Sequence, residues 1–279
     1  VIVIDNGSTD GSEEDIRSRY SWVTFLQNGE NLGYAEGNNR GIRRALADSA
    51  DYIFILNNDT KVFSDCISRL VSAAENNSSF GIFGPLAFDY DDETKVLESG
   101  FKLEWHPVKR YPFTPFEGDE ILTQNAEIFS VDVVQGDAFF VRRKVFEYVG
   151  LFDPQFFLMH EESDLCIRAK KYGVKIGIVK SAKFQRMISG TFGRGSNLSQ
   201  YYAYRNILLL IRKNTQGKER RQRFFNQFRK LKWDLWDHCM MNFFKTKDVS
   251  YLRKAKPMIL GCLDYFLGRF GRLERSNGI

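Results

Sequence analysis

Short apolar runs rich in β-branched residues, each ending abruptly on polar side chains, set the strongest limit on what this chain can become. Residues 1–4, Val-Ile-Val-Ile, run into Asp5-Asn6-Gly7-Ser8, and residues 52–56, Tyr-Ile-Phe-Ile-Leu, run into Asn57-Asn58-Asp59-Thr60. Runs of this length bounded by turn formers read as strands buried on both faces. Helical patterns alternate with them: residues 12–20 with an acidic first turn, 37–49 with Ile42, Ala45 and Leu46 on one face, and 64–76 with Ile67, Leu70, Val71 and Ala74 at helical spacing. Such alternation predicts an α/β fold, a mostly parallel sheet flanked by helices. Further strands are expected at 22–26, at 131–141 with an interruption at Gly136-Asp137, and at 174–179; further helices are expected at 144–149 and 161–172. Residues 89–130 lack periodicity and read as a hairpin or loop excursion near the cleft. From residue 200 the pattern is helical to the end, broken near Gly217 and at 248–250. We divide the chain into an α/β body, 1–199, and a C-terminal helical appendage, 200–279. Because the chain opens on a core strand without Met, a preceding strand is expected upstream.

Charge separates the same two parts. The net charge is +5, but residues 200–279 carry 18 Lys and Arg against 6 Asp and Glu, a net of +12 that leaves −7 for residues 1–199. A basic tail on an acidic body points to an anionic surface as its partner. The four cysteines lie far apart with no C-x-x-C pair, which argues against a zinc site or a disulfide framework and fits the cytoplasm. No apolar run approaches the ~20 residues that cross a bilayer.

In an open α/β sheet, ligands bind beyond the carboxyl ends of the strands. Three predicted ends carry polar residues: Asp5-Asn6-Gly7-Ser8, Asn57-Asn58-Asp59 and Gly136-Asp137. Taken alone the first is equally a turn, as is the Gly- and Asn-rich stretch from Asn31 through Gly33 to Asn38. Asp59, delivered to the tip of a hydrophobic strand, suits a hard divalent cation, which takes oxygen ligands from one or two carboxylates and from substrate phosphates; the other reading is a helix cap. Glu161, Glu162 and Asp164 open a predicted helix, where the helix dipole alone favours acids. They also follow Phe156-Phe157-Leu158-Met159, and an apolar wall lifts a carboxylate pKa toward that of a general base. His160, beside them, is read as structural.

Taken in order, V-I-V-I-D-N-G-S-T-D-G-S, N-L-G-Y-A-E-G-N-N, F-I-L-N-N-D-T, V-Q-G-D-A-F-F-V-R-R, F-F-L-M-H-E-E-S-D-L-C-I-R-A and Y-Y-A-Y-R-N resemble the motif set of family 2 glycosyltransferases over about residues 1–214, bacterial rhamnosyltransferase-like members above all. The resemblance implies a GT-A (Rossmann-like) fold, a nucleoside diphosphate sugar donor, a magnesium or manganese ion, and inverting transfer to a saccharide or lipid-linked acceptor in cell-surface polysaccharide synthesis. By the same resemblance Asp5 contacts the nucleoside, with Asn6, Ser8, Asn31, Gly33, Asn38, Asn58 and Arg205 around the donor. Asp59 is the metal ligand, and Gly136, Asp137, Ala138 and Asp164 line the sugar or acceptor pocket. Glu162 stands where the family's catalytic base is usually Asp, with Glu161 beside it. Arg186 stands where many members place a further metal-ligating His. A Gly-rich stretch at 189–195 is expected to form a lid. Rhamnose on thymidine diphosphate is the leading donor, ahead of uridine diphosphate hexoses.

Residues 218–236 interleave Lys and Arg with Phe224, Phe225, Phe228, Trp233 and Trp236. This is the pattern of a helix lying on a membrane surface, or of one whose apolar face packs on the body. Rival functions are weaker. A sugar-nucleotide nucleotidyltransferase would carry a basic, Gly-rich phosphate loop near its start, and no nucleic-acid reader motif accompanies the basic tail, so nucleic acid is not an expected partner. The remaining rival is a non-catalytic relative that binds anionic surfaces.

Overall fold

The computed structural model describes residues 1–105, 108–113, 126–187 and 196–274, with the side chains of Phe113 and His238 excepted. The expected lid at 189–195 lies outside the described residues. Strand β1 (Ile2–Asp5) leads through α1 (Ser12–Arg19) to β2 (Thr24–Gln27), and the two strands pair in parallel from Ile2 opposite Thr24 to Asp5 opposite Gln27. Helix α2 (Gly33–Ala47) packs on β1 and also on β3 (Tyr52–Leu56), so it ties this ribbon to the main sheet. It begins four residues earlier than its sequence pattern suggests. Gly33, at φ 75°, turns the chain into it at a point where a Cβ would lie 2.5 Å from Phe157.

After β3 come β4 (Thr60–Val62), α3 (Cys66–Asn76) and the long β5 (Phe80–Asp89), nearly all buried. A three-stranded sheet then forms from β6 (Gly100–Trp105), β7 (Val108–Phe113) and β9 (Val133–Val134), in the order β7-β6-β9. The remaining body elements are β8 (Ile128–Ser130), β10 (Ala138–Arg142), α4 (Arg143–Val149), α5 (Glu161–Lys171) and β11 (Lys175–Arg186).

The main sheet runs β3-β10-β5-β11-β4, with β8 also paired to β11. It is mixed where a mostly parallel sheet was expected. Strands β3, β5 and β11 keep one direction, but β10 lies between β3 and β5 antiparallel to both, and β4 and β8 are antiparallel to β11. Strand β11 also runs past its predicted end. A register shift between Val179 and Lys183 bends it so that its second half pairs with β4 and Arg186 stands opposite Thr60.

The main core gathers Ile42, Ile55, Ile82, Phe139, Val141, Leu165 and Ile178 between α2, the sheet and α5. Beyond it come α6 (Asn197–Asn214) and α7 (Gly217–Asp234), then a π-helical stretch (Leu235–Met241), α8 (Asn242–Thr246), α9 (Ser250–Arg253) and α10 (Ala255–Phe266). The breaks at Gly217 and 248–250 fall as the sequence predicts. Helix α10 packs on α6, with the Tyr201 hydroxyl donating to Asp264 at 2.8 Å. Along the basic helix and just beyond it, Phe224, Phe228 and Leu231 pack inward, as the packed reading expects, while Phe225, Trp233 and Trp236 are exposed.

Candidate active site

Beyond the tips of β3 and β10 and the start of α5 lies a cleft of about 590 Å³. It is lined by Asn6, Asn31, Gly33, Asn58, Asp59, Gly136, Asp137, Glu161 and Glu162 from the expected set, and also by Tyr34, Arg110, Phe157 and Arg186. The tips are fastened together. The Asn57 N–H donates to the Asp137 carbonyl at 3.0 Å, and the Tyr34 hydroxyl donates to the carbonyl of Gly136. Burial, then the charges of Glu161, Glu162 and Asp137, pushes the Tyr34 pKa well up, so the phenol stays a donor.

One wall is built by backbone under strain. Phe157, Met159 and His160 all have positive φ, 62°, 70° and 73°. Such conformations cost ~1–3 kcal/mol each in non-glycine residues and persist only where the surroundings impose them. Here Asn206 imposes them by donating to the carbonyls of Phe156, Leu158 and Met159 at 2.8, 2.7 and 2.9 Å. Arg205 helps by donating to the carbonyls of Gln155 and Phe156 at 3.1 and 2.9 Å. The turn so formed starts α5 with Glu161 and Glu162 facing the cleft.

These two carboxylates are 4% and 6% exposed, and each keeps one oxygen without a hydrogen-bond partner. Glu162 makes an ion pair with Arg110 of β7, whose guanidinium also lies 4.6 Å from the Phe101 ring centre. Burial, then the neighbouring charge of Glu162, pushes the Glu161 pKa well up, with Arg110 opposing. The pair therefore consists of a Glu161 whose neutral form is favoured beside a Glu162 that faces a cation. His160 is buried and stays neutral, its pKa depressed by burial and then by Arg110.

Asp137, which also lines the cleft, is pushed up to about 6 by burial, against the lowering effect of Arg186 and with Asp59 and Glu98 adding to the rise. Among the described residues its Oδ1 has no hydrogen-bond partner, whereas Oδ2 lies 3.2 Å from Arg186 Nε. Among the described residues no three His, Cys, Asp or Glu side chains gather as a metal cage. The donor set still fits a hard divalent cation, because Asp59 presents a carboxylate in the cleft and such ions complete their shell from phosphates and water.

Six expected residues do not line the cleft. Asp5 accepts from the N–H groups of Gly7 and Ser8 at 2.9 and 2.7 Å and so shapes the loop after β1. Burial opposes its charge, but these bonds outweigh it and lower the pKa. Ser8 is part of that turn, and Asn38 donates to the Tyr34 carbonyl within α2. Ala138 is buried in β10. Asp164 is enclosed, bonded to Arg168 at 2.7 Å and Asn214 at 2.9 Å. Arg205 is likewise a correction: it is 1% exposed and spends its guanidinium on carbonyls and on Asn206, which leaves it a clamp on the loop before α5. Sequence reasoning missed Arg110. It lies 52 residues before Glu162 in a segment without periodicity, so no local signal pointed to it.

The sequence model of glycosyl transferase family 2 matches residues 1–150. The chain is 27% identical over 222 residues to a dTDP-rhamnosyl transferase, RfbF, of Shigella flexneri, covering 77% of this chain and 71% of that one. It is 30% identical over 231 residues to an N-acetylglucosaminyl-diphospho-decaprenol L-rhamnosyltransferase of Mycobacterium tuberculosis, covering 76% and 75%. Among solved structures it resembles the mannosyltransferase PcManGT of Pyrobaculum calidifontis in complex with GDP-Man and Mn2+, with a TM-score of 0.54, 12% identity, and coverage of 96% and 78%. It also resembles GalNAc-T7 with UDP, GalNAc and Mn2+, with a TM-score of 0.53, 16% identity, and coverage of 85% and 51%. The fold is thus that of GT-A glycosyltransferases, and the chain is a glycosyltransferase that belongs to glycosyl transferase family 2.

Proposed function

We propose that this enzyme moves rhamnose, with inversion, from a thymidine diphosphate donor to a hydroxyl of a saccharide or lipid-linked acceptor in cell-surface polysaccharide synthesis. The observation that carries the reading is that Asp59, Asp137, Glu161 and Glu162 line one cleft. The names of the Shigella and mycobacterial relatives favour rhamnose and a lipid-linked acceptor. In this reading the donor lies along the strand tips, among Asn6, Asn31, Asn58 and Gly136. Asp59 would hold a magnesium or manganese ion, which when bound neutralises charge on the departing diphosphate.

Glu162 takes the proton of the acceptor hydroxyl as its oxygen bonds to the anomeric carbon from the face opposite the leaving diphosphate. Glu161, holding its own proton, adds no second negative charge beside it. Arg110 and the clamped turn before α5 fix the direction of the Glu162 carboxylate. Residues 1–199 are the catalytic part in this account, and 200–279 the basic helical region.

That region supports peripheral contact with a membrane surface through 218–236. Phe225, Trp233 and Trp236 are 63%, 65% and 52% exposed, and Lys218, Arg221, Arg229 and Lys232 are exposed among them. Aromatic and cationic side chains on one exposed helix suit an anionic lipid interface. Among the described residues no helix is long and apolar enough to cross a membrane.

A thermal-shift panel tests the donor class, with thymidine, uridine, guanosine and cytidine diphosphates run with and without manganese beside Asp59→Ala. Stabilisation chiefly by thymidine diphosphate, reduced in the variant, is expected. A larger shift with another nucleotide reassigns the donor, and no shift with any nucleotide removes the donor-site reading.

A further inference from the structure

Arg186 is a charged group in the cleft that the transfer step above does not use. It ends β11, opposite Thr60 in the strand register and so one residue from Asp59. Its side chain is only 11% exposed and lies between two carboxylates, with Nε 3.2 Å from Asp137 Oδ2 and Nη2 3.4 Å from Glu98 Oε1. Nη2 also donates to the Glu98 carbonyl at 3.3 Å. These contacts are long for charge-assisted hydrogen bonds, which run near ~2.8 Å. The arrangement is also incomplete, because among the described residues Arg186 Nε and Asp137 Oδ1 are both buried without a hydrogen-bond partner. Buried polar atoms are nearly always satisfied, and the exceptions call for a missing partner.

The chemistry of that partner follows from the donors. A guanidinium carries five N–H groups in a planar fork that matches phosphate oxygens two at a time. The bend in β11 brings this fork to the same cleft wall as Asp59, where the diphosphate of a nucleotide sugar lies in the reading above.

We propose that Arg186 is a fixed cation of the donor site, contacting the diphosphate and sharing the charge that departs with it. As the bond from the anomeric carbon to the diphosphate oxygen breaks, its electron pair stays on the diphosphate beside the guanidinium. The acceptor oxygen meanwhile forms the new bond, and its proton passes to Glu162. A nucleoside diphosphate is therefore held in part by the chain's own charge, with or without a divalent ion. This inference rests on the glycosyltransferase reading of the cleft.

Isothermal titration of the full chain with thymidine diphosphate, in EDTA and in manganese, tests it with Arg186→Gln, Arg186→Lys and Asp59→Ala. Wild type in EDTA is expected to bind within about 10-fold of its affinity in manganese. In EDTA, Arg186→Gln is expected to lose about 10- to 100-fold, the loss that goes with one charge-assisted contact. Asp59→Ala in EDTA is expected to match wild type.

Wild-type binding that vanishes in EDTA overturns the proposal, as does a folded Arg186→Gln that binds as wild type does. Should Arg186→Gln not fold by circular dichroism, Arg186→Lys decides. It keeps the charge but loses the fork, so about 5-fold weaker binding in EDTA supports the proposal and equal binding overturns it. No binding by wild type in either buffer would instead remove the donor-site reading itself.

Discussion

Two groups of buried polar side chains lie on either side of the strained turn at residues 156–160, and they differ in how completely they are bonded. Arg205 and Asn206, on the α6 side, are 1% and 0% exposed, and between them they donate to the carbonyls of Gln155, Phe156, Leu158, Met159 and Gly271. Glu161, Glu162 and Asp137, on the cleft side, each keep an oxygen with no partner among the described residues. Both groups lie in motifs that resemble those of family 2 glycosyltransferases, the first in Y-Y-A-Y-R-N and the second in V-Q-G-D-A and H-E-E-S-D. Completeness of hydrogen bonding separates them: a saturated group holds shape, and an unsaturated one in a cleft is available to a substrate.

The comparison is most exposed to failure at the clamp. Asn206→Ala takes the side-chain donor from the carbonyls of Leu158 and Met159, while that of Phe156 keeps Arg205, so a loss of about 3–5 kcal/mol in unfolding free energy is expected by urea denaturation. A variant of Arg205 that kept full stability and lost donor affinity would return that residue to the binding site.

A smaller effect is expected at Asp137, and its sign follows from its pKa of about 6 against 3.8 for the free side chain. The folded chain binds more protons than the unfolded one across that interval, so stability falls as pH rises from about 4 to about 6, by at most about 3 kcal/mol. Asp137→Asn should flatten this part of a curve of melting temperature against pH, and an unchanged slope would contradict a carboxylate raised by burial.

Arg110→Gln sharpens the contrast from within the cleft. Arg110 opposes the upward shift of Glu161 and pairs with Glu162, so its loss lets Glu161 keep its proton to higher pH and leaves the Glu162 carboxylate buried without its cation. The acid limb of the rate profile is expected to move to higher pH, with a loss of stability of about 3 kcal/mol, and an unmoved limb would contradict the pairing.

The smallest stability change is expected in the basic region. Replacing Trp233 and Trp236 with Ala removes side chains that are 65% and 52% exposed, which should alter unfolding by no more than about 1 kcal/mol yet weaken binding to anionic vesicles in a flotation assay. Undiminished flotation would assign the exposed aromatics elsewhere.

Much of this was legible because it was local. The strands at residues 2–5 and 52–56, with their polar tips, follow from runs of apolar residues and the turn formers that end them. The acids at the start of α5 were visible for the same reason. What stayed hidden depends on distant pairing. The reversal of β10, the bend that carries β11 on to Arg186, and the reach of Arg110 to Glu162 are set by strand register and by contacts far apart in sequence. Arg205 shows the converse: its place in the Y-Y-A-Y-R-N motif was legible, but the carbonyls that occupy it were not.

The central claim, that Glu162 is the base of a transfer whose donor is held by other residues, is tested most directly by single-turnover transfer with Glu162→Gln. The assay supplies thymidine diphosphate rhamnose and a lipid-linked N-acetylglucosaminyl diphosphate acceptor, and donor affinity is measured in parallel. The account predicts a chemical step slower by about 10²- to 10⁴-fold with donor affinity within about 3-fold of wild type. A transfer rate close to wild type, or a loss that merely follows weakened donor binding, would contradict it.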